Sequence, residues 1–246
     1  MRAGETERPE RSRTSWLILT AGLSLLLLGG QAHAQERIDL RALVRETQIT
    51  SNAANDLTMV WWLPEQFWQA SLRQGKQTGD QIDEFLKVVR RYTLIAVVDG
   101  RVGPFGGMSF SPEDAVRANV TLKDATGVNY APLGESSIDP DMKNLIQAMK
   151  PIVANMLGPI GQNMHFVLFP AKSDDGRLVA DAASNGTLWV NVGGKEFRYR
   201  LPLGSLLAPK YDPGTGETFP GNYKFNPFTG TKLSTESPTK PLQSSR

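Results

Sequence analysis

The sequence predicts an α+β fold, an antiparallel sandwich-like sheet with several helices, and three observations carry that expectation. Apolar, β-branched runs such as "TLIAVVDG", "MHFVLFPA" and "GTLWVNV" have the length and composition of strands. Short turn-forming pairs join such runs: Gly193-Gly194 links "GTLWVNV" to "KEFRYRLPL" as a tight hairpin, so the pairing is antiparallel. Two segments instead repeat apolar residues every three or four positions, as helices do, and they fall before and within the strand-rich region.

Residues 1–34 read as an export signal. A basic, polar start ending in "RPERSR" precedes the apolar run "WLILTAGLSLLLLGG" and then "QAHA", whose Ala32-His33-Ala34 suits a signal peptidase. That run of 15 residues falls short of the ~20 that a spanning helix needs. The mature chain is expected from Gln35, with 212 residues and no further transmembrane span, as a periplasmic or secreted protein. Its net charge falls from +2 to +1, because the signal holds four Arg and three Glu; acids and bases are interspersed, so nothing resembles a nucleic-acid footprint.

Residues 35–55 are polar and read as a flexible lead-in, with "IDLRALVRETQ" offering a short amphipathic helix at most. The main α+β domain is expected over 56–208. In "MVWWLPEQFWQASLRQ", Pro64 suits the first turn of a helix and Glu65 its positive end, with Trp68 and Leu72 one turn apart. The spacing of Ile82, Phe85, Val88 and Val89 predicts a second helix. The strand "TLIAVV" should close in a turn at Asp99-Gly100, and "SPEDAV" should start a short helix with Ser111 as N-cap and Pro112 at its first position. A hairpin is expected around Asp124 to Gly127. The longest helix runs from the Asp139 cap to a stop at Gly158, with Met142, Leu145, Ile146, Met149, Val153 and Met156 as one stripe and a kink at Pro151. The strands "MHFVLFPA", "GRLVADA" and "GTLWVNVGGKEFRYRLPL" bring the count to six or seven, and 234–246 is a disordered tail by composition.

The chemistry inventory weighs against an enzyme. His165 is the only His after the signal and sits in an apolar strand, where a packed core His is expected rather than the base of a Ser-His-Asp triad. With no Cys and one mature His, thiol catalysis and a multi-histidine metal centre are excluded, and no cofactor or metal is expected. The carboxylates of "SPEDA", "SIDPDMK" and "KSDDGR" lie at helix starts and turns, where capping accounts for them. "DGRVGPFGG" has glycines but no Lys-Ser/Thr after them, so it is not a phosphate loop.

Trp61, Trp62, Phe67 and Trp68 form a candidate binding surface, since exported proteins use aromatic faces to stack sugars or anchor partners. The competing reading is that these side chains cover the apolar edge of the sheet. A platform requires at least one indole open to solvent.

The C-terminal segment "YDPGTGETFPGNYKFNPFTGTKL" repeats itself: "DPGTGETF" and "NPFTGTKL" share Asp/Asn, Pro, Thr and Gly at an offset of 14. The frame resembles a short bacterial zinc ribbon, in which two C-P-x-C-G knuckles are followed by a Lys-Leu ending. Asp212, Thr215, Asn226 and Thr229 occupy the four ligand positions, and Gly216, Gly230, Lys232 and Leu233 fit the surrounding pattern. Every ligand departs from that family, so zinc is not carried over. Asx and ST turns can accept the N–H groups that a knuckle aims at sulfur, and a small metal-free module is expected over 209–233. The resemblance implies a role in protein contacts. The resulting expectation is an exported soluble protein acting by protein binding on an unidentified partner in the envelope or outside the cell. The alternative is a carbohydrate-binding or carboxylate-dependent glycan-processing protein that uses the Trp61/Trp62/Trp68 cluster.

Overall fold

Strand β3 (Tyr92–Val98) shows why two cores form. Ile95 and Val97 point to one side, Leu94, Ala96 and Val98 to the other, and all five are at most 2 % exposed. A strand apolar on both faces must be covered on both. The computed structural model describes residues 38–51 and 53–237, so the segment 1–34, expected to be an export signal, and the residues beyond 237 lie outside the described residues.

Ahead of β3 come helix α1 (Leu40–Thr47), strands β1 (Gln48–Thr50) and β2 (Met59–Trp62), and helices α2 (Glu65–Gln74) and α3 (Gly79–Val89). After it come β4 (Gly100–Val102), β5 (Met108–Phe110), α4 (Glu113–Ala118), β6 (Val120–Lys123) and β7 (Asn129–Tyr130). The chain continues through α5 (Pro140–Leu157), α6 (Pro159–Gln162), β8 (His165–Pro170), β9 (Gly186–Val192) and β10 (Lys195–Leu201), and ends in β11 (Lys210–Tyr211) and β12 (Thr218–Phe219). Two four-stranded antiparallel sheets result, ordered β1-β2-β3-β8 and β10-β9-β6-β7; β4-β5 and β11-β12 form separate two-stranded ribbons. This is an α+β architecture.

The two sheets face each other. Val60, Ile95 and Val167 of the first share a buried cluster with Leu122, Leu188 and Val190 of the second. On the other face of the first sheet, Leu94 and Leu168 pack with Leu86 of α3 and Met142 of α5. The layers are therefore helices, first sheet, second sheet.

Several elements differ from the sequence reading, each for a physical reason. Residues 35–55 are not a loose lead-in where they are described. Asp39 caps α1, its Oδ1 accepting the N–H groups of Arg41 and Ala42 at 2.9 and 3.1 Å, and Leu43 is wholly buried in the inter-sheet core. One apolar side chain per turn suffices to seat a helix there, which average polarity hides. The segment "GRLVADA" is not a strand: it lies in turns with a single bridge from Leu178 to Lys172. Val179 and Ala182 are its buried residues, three apart, so the segment turns rather than extends.

Nor does Asp99-Gly100 close a turn. The chain runs on into β4 and reverses at 103–107, where the Gly103 N–H donates to the Gly107 carbonyl at 2.7 Å. "MVWW" is strand β2, and the helix begins only after Pro64. Pro112, rather than Ser111, is the residue flanking α4. Of the α5 stripe only Met142 is buried, while Met156 is 72 % exposed. From Arg37 onward the chain is one compact unit, without a break between the sandwich and the C-terminal ribbon.

Candidate functional site

Charged side chains gather at the end of the sandwich where β3 gives way to β4. Lys195 on β10 reaches across, with Nζ 2.7 Å from Asp56 Oδ1 and 3.2 Å from Asp99 Oδ1. Thr58 Oγ1 lies 2.8 and 2.9 Å from the same two carboxylate oxygens, and the Ser111 hydroxyl donates to Asp99 Oδ2 at 2.7 Å. Burial alone would raise the Asp56 carboxyl, but hydrogen bonds from Lys195, Ser51 and Thr58 outweigh it and hold the pKa at about 2. Asp99 is lowered in the same sense, its burial outweighed by Ser111, Thr58 and Lys195. Lys195 is raised: burial pulls it down, and its hydrogen bonds to Asp56 and Asp99 overcome that. An ammonium held between two carboxylates is not a general base. It is a clamp between the sheets.

His165, the sequence's only triad candidate, is placed in the same polar seam. Its Nε2 is 3.1 Å from the Ser111 carbonyl oxygen and therefore carries the proton, while Nδ1 lies 3.8 Å from Glu113. Its hydrogen bond goes to a carbonyl rather than to a hydroxyl, so it is not poised to activate a nucleophile.

The aromatic residues proposed as a binding surface are brought together, but inward. Trp61, Phe67, Trp68 and Phe85 form a chain of edge and tilted contacts with centroids 5.2 to 5.4 Å apart. Trp62 turns to the opposite face and meets Tyr199 at 5.7 Å. Trp62 is 1 % and Trp68 8 % exposed, with Trp61 and Phe67 half-buried. The cluster is core, which corrects its reading as a sugar platform. Adjacent strand residues point to opposite sides, so neighbours in sequence could not form one face. A cleft of about 740 Å³ opens above Trp62 and Trp68 at the end of the first sheet. Of the cations at its rim, Arg90 is paired with Glu65 at 2.7 Å and Arg91 with Asp139 at 2.7 Å.

The C-terminal ribbon carries two turns of matching geometry. Asp212 Oδ1 accepts the N–H groups of Gly214 and Thr215 at 2.8 and 3.1 Å; Asn226 Oδ1 accepts those of Phe228 and Thr229 at 2.9 and 3.3 Å. Each turn closes by a glycine N–H donating to the first residue's carbonyl, Gly216 to Asp212 and Gly230 to Asn226, both at 2.8 Å. Both glycines take a left-handed φ, 74° and 75°. The turns are tied together where Asn226 Nδ2 donates to Asp212 Oδ2 at 2.6 Å. A zinc ion does not fit this donor set. It offers neither thiolate nor imidazole, and Nδ2 of Asn226 occupies the position facing Asp212 with N–H groups. Thr215 and Thr229 serve the turns themselves, their hydroxyls accepting the N–H groups of Glu217 and Thr231 at 3.2 and 3.3 Å.

The outer face of the second sheet is a feature the sequence reading missed. Lys123 on β6, Trp189 on β9 and Arg198 on β10 stand in one cross-strand row. Lys123 Nζ and Arg198 Cζ each lie 5.4 Å from the Trp189 ring centroid. Arg200 and Glu196 flank the row, so the face holds three cations to one carboxylate. The signal was present: in "LWVNV" Leu188, Val190 and Val192 alternate inward and are buried, which puts Trp189 among the polar, outward positions.

No protein-family model matches the sequence, and neither the curated proteins nor the solved structures compared with it gave a match.

Proposed function

We propose that this is an exported, non-enzymatic binding protein that docks a protein partner on the outer face of its second sheet. One observation carries the reading: that face presents the Lys123-Trp189-Arg198 row and Arg200, half-buried or exposed, and none of these residues belongs to either core cluster. Trp and Arg are the side chains most enriched where protein interfaces concentrate their affinity. The signal-like residues 1–34 support an envelope or extracellular setting. The C-terminal segment is, in this reading, a metal-free relative of the zinc ribbon, its ion replaced by the Asp212–Asn226 hydrogen bond.

A glycan ligand is the second reading, moved from the buried tryptophans to Trp189. Beside that ring Thr121, Asn129, Asn191 and Glu196 help to line a concavity of about 120 Å³. Small-molecule sites typically measure roughly 300–1,000 Å³, so the hollow is too shallow to enclose a sugar, and the flat face favours a macromolecule.

The test is photo-cross-linking in the native envelope from Thr121 and Arg200 on the sheet face and from Glu84 on α3 in the helical layer. A discrete adduct is expected from the first two positions and not from Glu84, and Lys123→Glu should diminish it. Equal labelling from all three positions would sink the reading. A glycan array that is positive and abolished by Trp189→Ala would replace it with the second one.

A further inference from the structure

The rim of the same sheet carries an independent observation, made on the backbone. β10 is the terminal strand of the second sheet and is seven residues long. Its two-residue turn, Gly193-Gly194, has φ of 57° and 85°, the geometry of a tight primed turn. Val192 and Lys195 close that turn and exchange the narrow pair of hydrogen bonds; Val190 with Phe197 and Leu188 with Tyr199 follow at every second position. The intervening residues Glu196, Arg198 and Arg200 therefore aim their N–H and C=O groups away from β9. Among the described residues, these six groups have no hydrogen-bond partner, and the three residues are exposed. The inward side chains Phe197 and Tyr199 are buried, which fixes the register of the strand.

We propose that β10 accepts an extended peptide segment as a fifth, antiparallel strand, and that this segment is acidic opposite Arg198 and Arg200. The inference rests on the docking reading above and names its partner chemistry. Three residues with both polar groups free offer up to six main-chain hydrogen bonds to an added strand. Charge supplies the selectivity, because side chains directly opposite on one face stand about 5 Å apart, where unlike charges attract and like charges repel. In antiparallel order the partner reads acid, acid, base opposite Arg200, Arg198 and Glu196, with uncharged residues between. A second copy of this chain fits less well: symmetric pairing about Arg198 matches Glu196 with Arg200 twice but sets two Arg198 side chains against each other, whereas the acid-acid-base segment makes three unlike pairs.

The probe is the peptide Thr-Glu-Val-Glu-Val-Lys-Thr, capped at both ends and titrated into the mature protein with isotope-labelled amides. Saturable binding is expected, with shifts centred on Glu196, Arg198 and Arg200. N-methylation of the central Glu, whose N–H faces β10, should weaken binding by roughly tenfold or more, while N-methylation of the neighbouring Val, whose N–H faces away, should have little effect. The peptide with Glu and Lys exchanged should bind poorly to the native protein and better to Arg198→Glu/Arg200→Glu.

If both N-methyl peptides bind as well as the parent, strand addition is overturned while docking on the basic face stands. If no peptide binds yet cross-links from Thr121 and Arg200 persist, the partner is not an acidic strand and the inference alone falls. Loss of both signals removes the docking reading as well. A β10-mediated dimer in sedimentation that excludes the peptide would make a second copy the occupant and overturn the inference.

Discussion

Lys195 ties two strand connections to the opposite sheet, because its ammonium meets Asp56 ahead of β2 and Asp99 between β3 and β4 from a position on β10. Lys195→Met keeps the stem and removes the charge. It leaves two carboxylates facing each other around Thr58, a side chain with no exposure at all. Breaking a fully buried pair costs about 3–5 kcal/mol; with a third of the Lys195 side chain in solvent, roughly 2–3 kcal/mol is expected. The pH dependence identifies the cause. Asp56 is depressed in the folded state from 3.8 to about 2, so its contribution is complete above pH 4 and is lost as the pH falls through about 2. In the variant only Ser51 and Thr58 still hold that carboxyl down, and protonation relieves the repulsion. The stability gap between native protein and variant, read from urea denaturation, should therefore narrow between pH 6 and pH 3. No gap at either pH would show that Lys195 acts through packing of its stem, which Met retains.

Helix α1 places one apolar residue in the inter-sheet core, Leu43, which is wholly buried and joins Val60 and Leu188 there. Leu43→Ala should destabilise the whole protein by about 2–5 kcal/mol, whereas the exposed neighbour Arg41→Ala should be near neutral. If both were neutral, the helix would be an appendage, as its polar composition suggests. That contrast marks what could be read from the sequence. Elements with dense patterns were legible: α3 through Ile82 and Val89, β3 and β8 as continuous apolar runs, and β9-β10 through Gly193-Gly194. Elements fixed by one or two long-range contacts were not, because α1 depends on Leu43 and the 177–183 turns on Val179 and Ala182. The site divides in the same way. Charge and aromatic content were visible, but their facing was decided by strand register. Register buried Trp62 and left Trp189 outside, while Trp68 was buried by the packing of α2 on the first sheet. The turns capped by Asp212 and Asn226 were legible because they are local, each Oδ1 bonding within three residues of itself, whereas the bond between the two side chains, 14 residues apart, was not.

The sandwich and the C-terminal ribbon behave as one body because a single carboxylate joins three parts of the chain. Glu46 at the end of α1 accepts the Gly204 N–H at 2.6 Å and the Ser205 N–H at 2.9 Å, and also the Ser205 hydroxyl at 2.7 Å. Asn222 of the ribbon approaches the same carboxylate at 3.5 Å, and the Gly221 N–H donates to the Gly204 carbonyl at 3.1 Å. The ribbon's own core is small, with Phe219 and Leu233 its buried apolar residues, so its folding draws on this junction. Glu46→Ala leaves the Gly204 and Ser205 donors without partners, at about 1–3 kcal/mol each where water cannot replace them. The expected outcome is loss of cooperativity rather than uniform weakening. The native protein should melt in one transition. In Glu46→Ala the ribbon should loosen first, so that limited proteolysis cuts within 209–233 at temperatures where the remainder is intact. The readouts separate cleanly in the chain from Gln35, since its four Trp, Trp61, Trp62, Trp68 and Trp189, all lie upstream of the ribbon and its indole fluorescence follows the sandwich alone. Proteolysis of the ribbon running ahead of the fluorescence change in the variant, but coinciding with it in the native protein, is the expected result. Coincidence in both would mean that the ribbon is held by its flanking strands and that Glu46 is dispensable to the coupling.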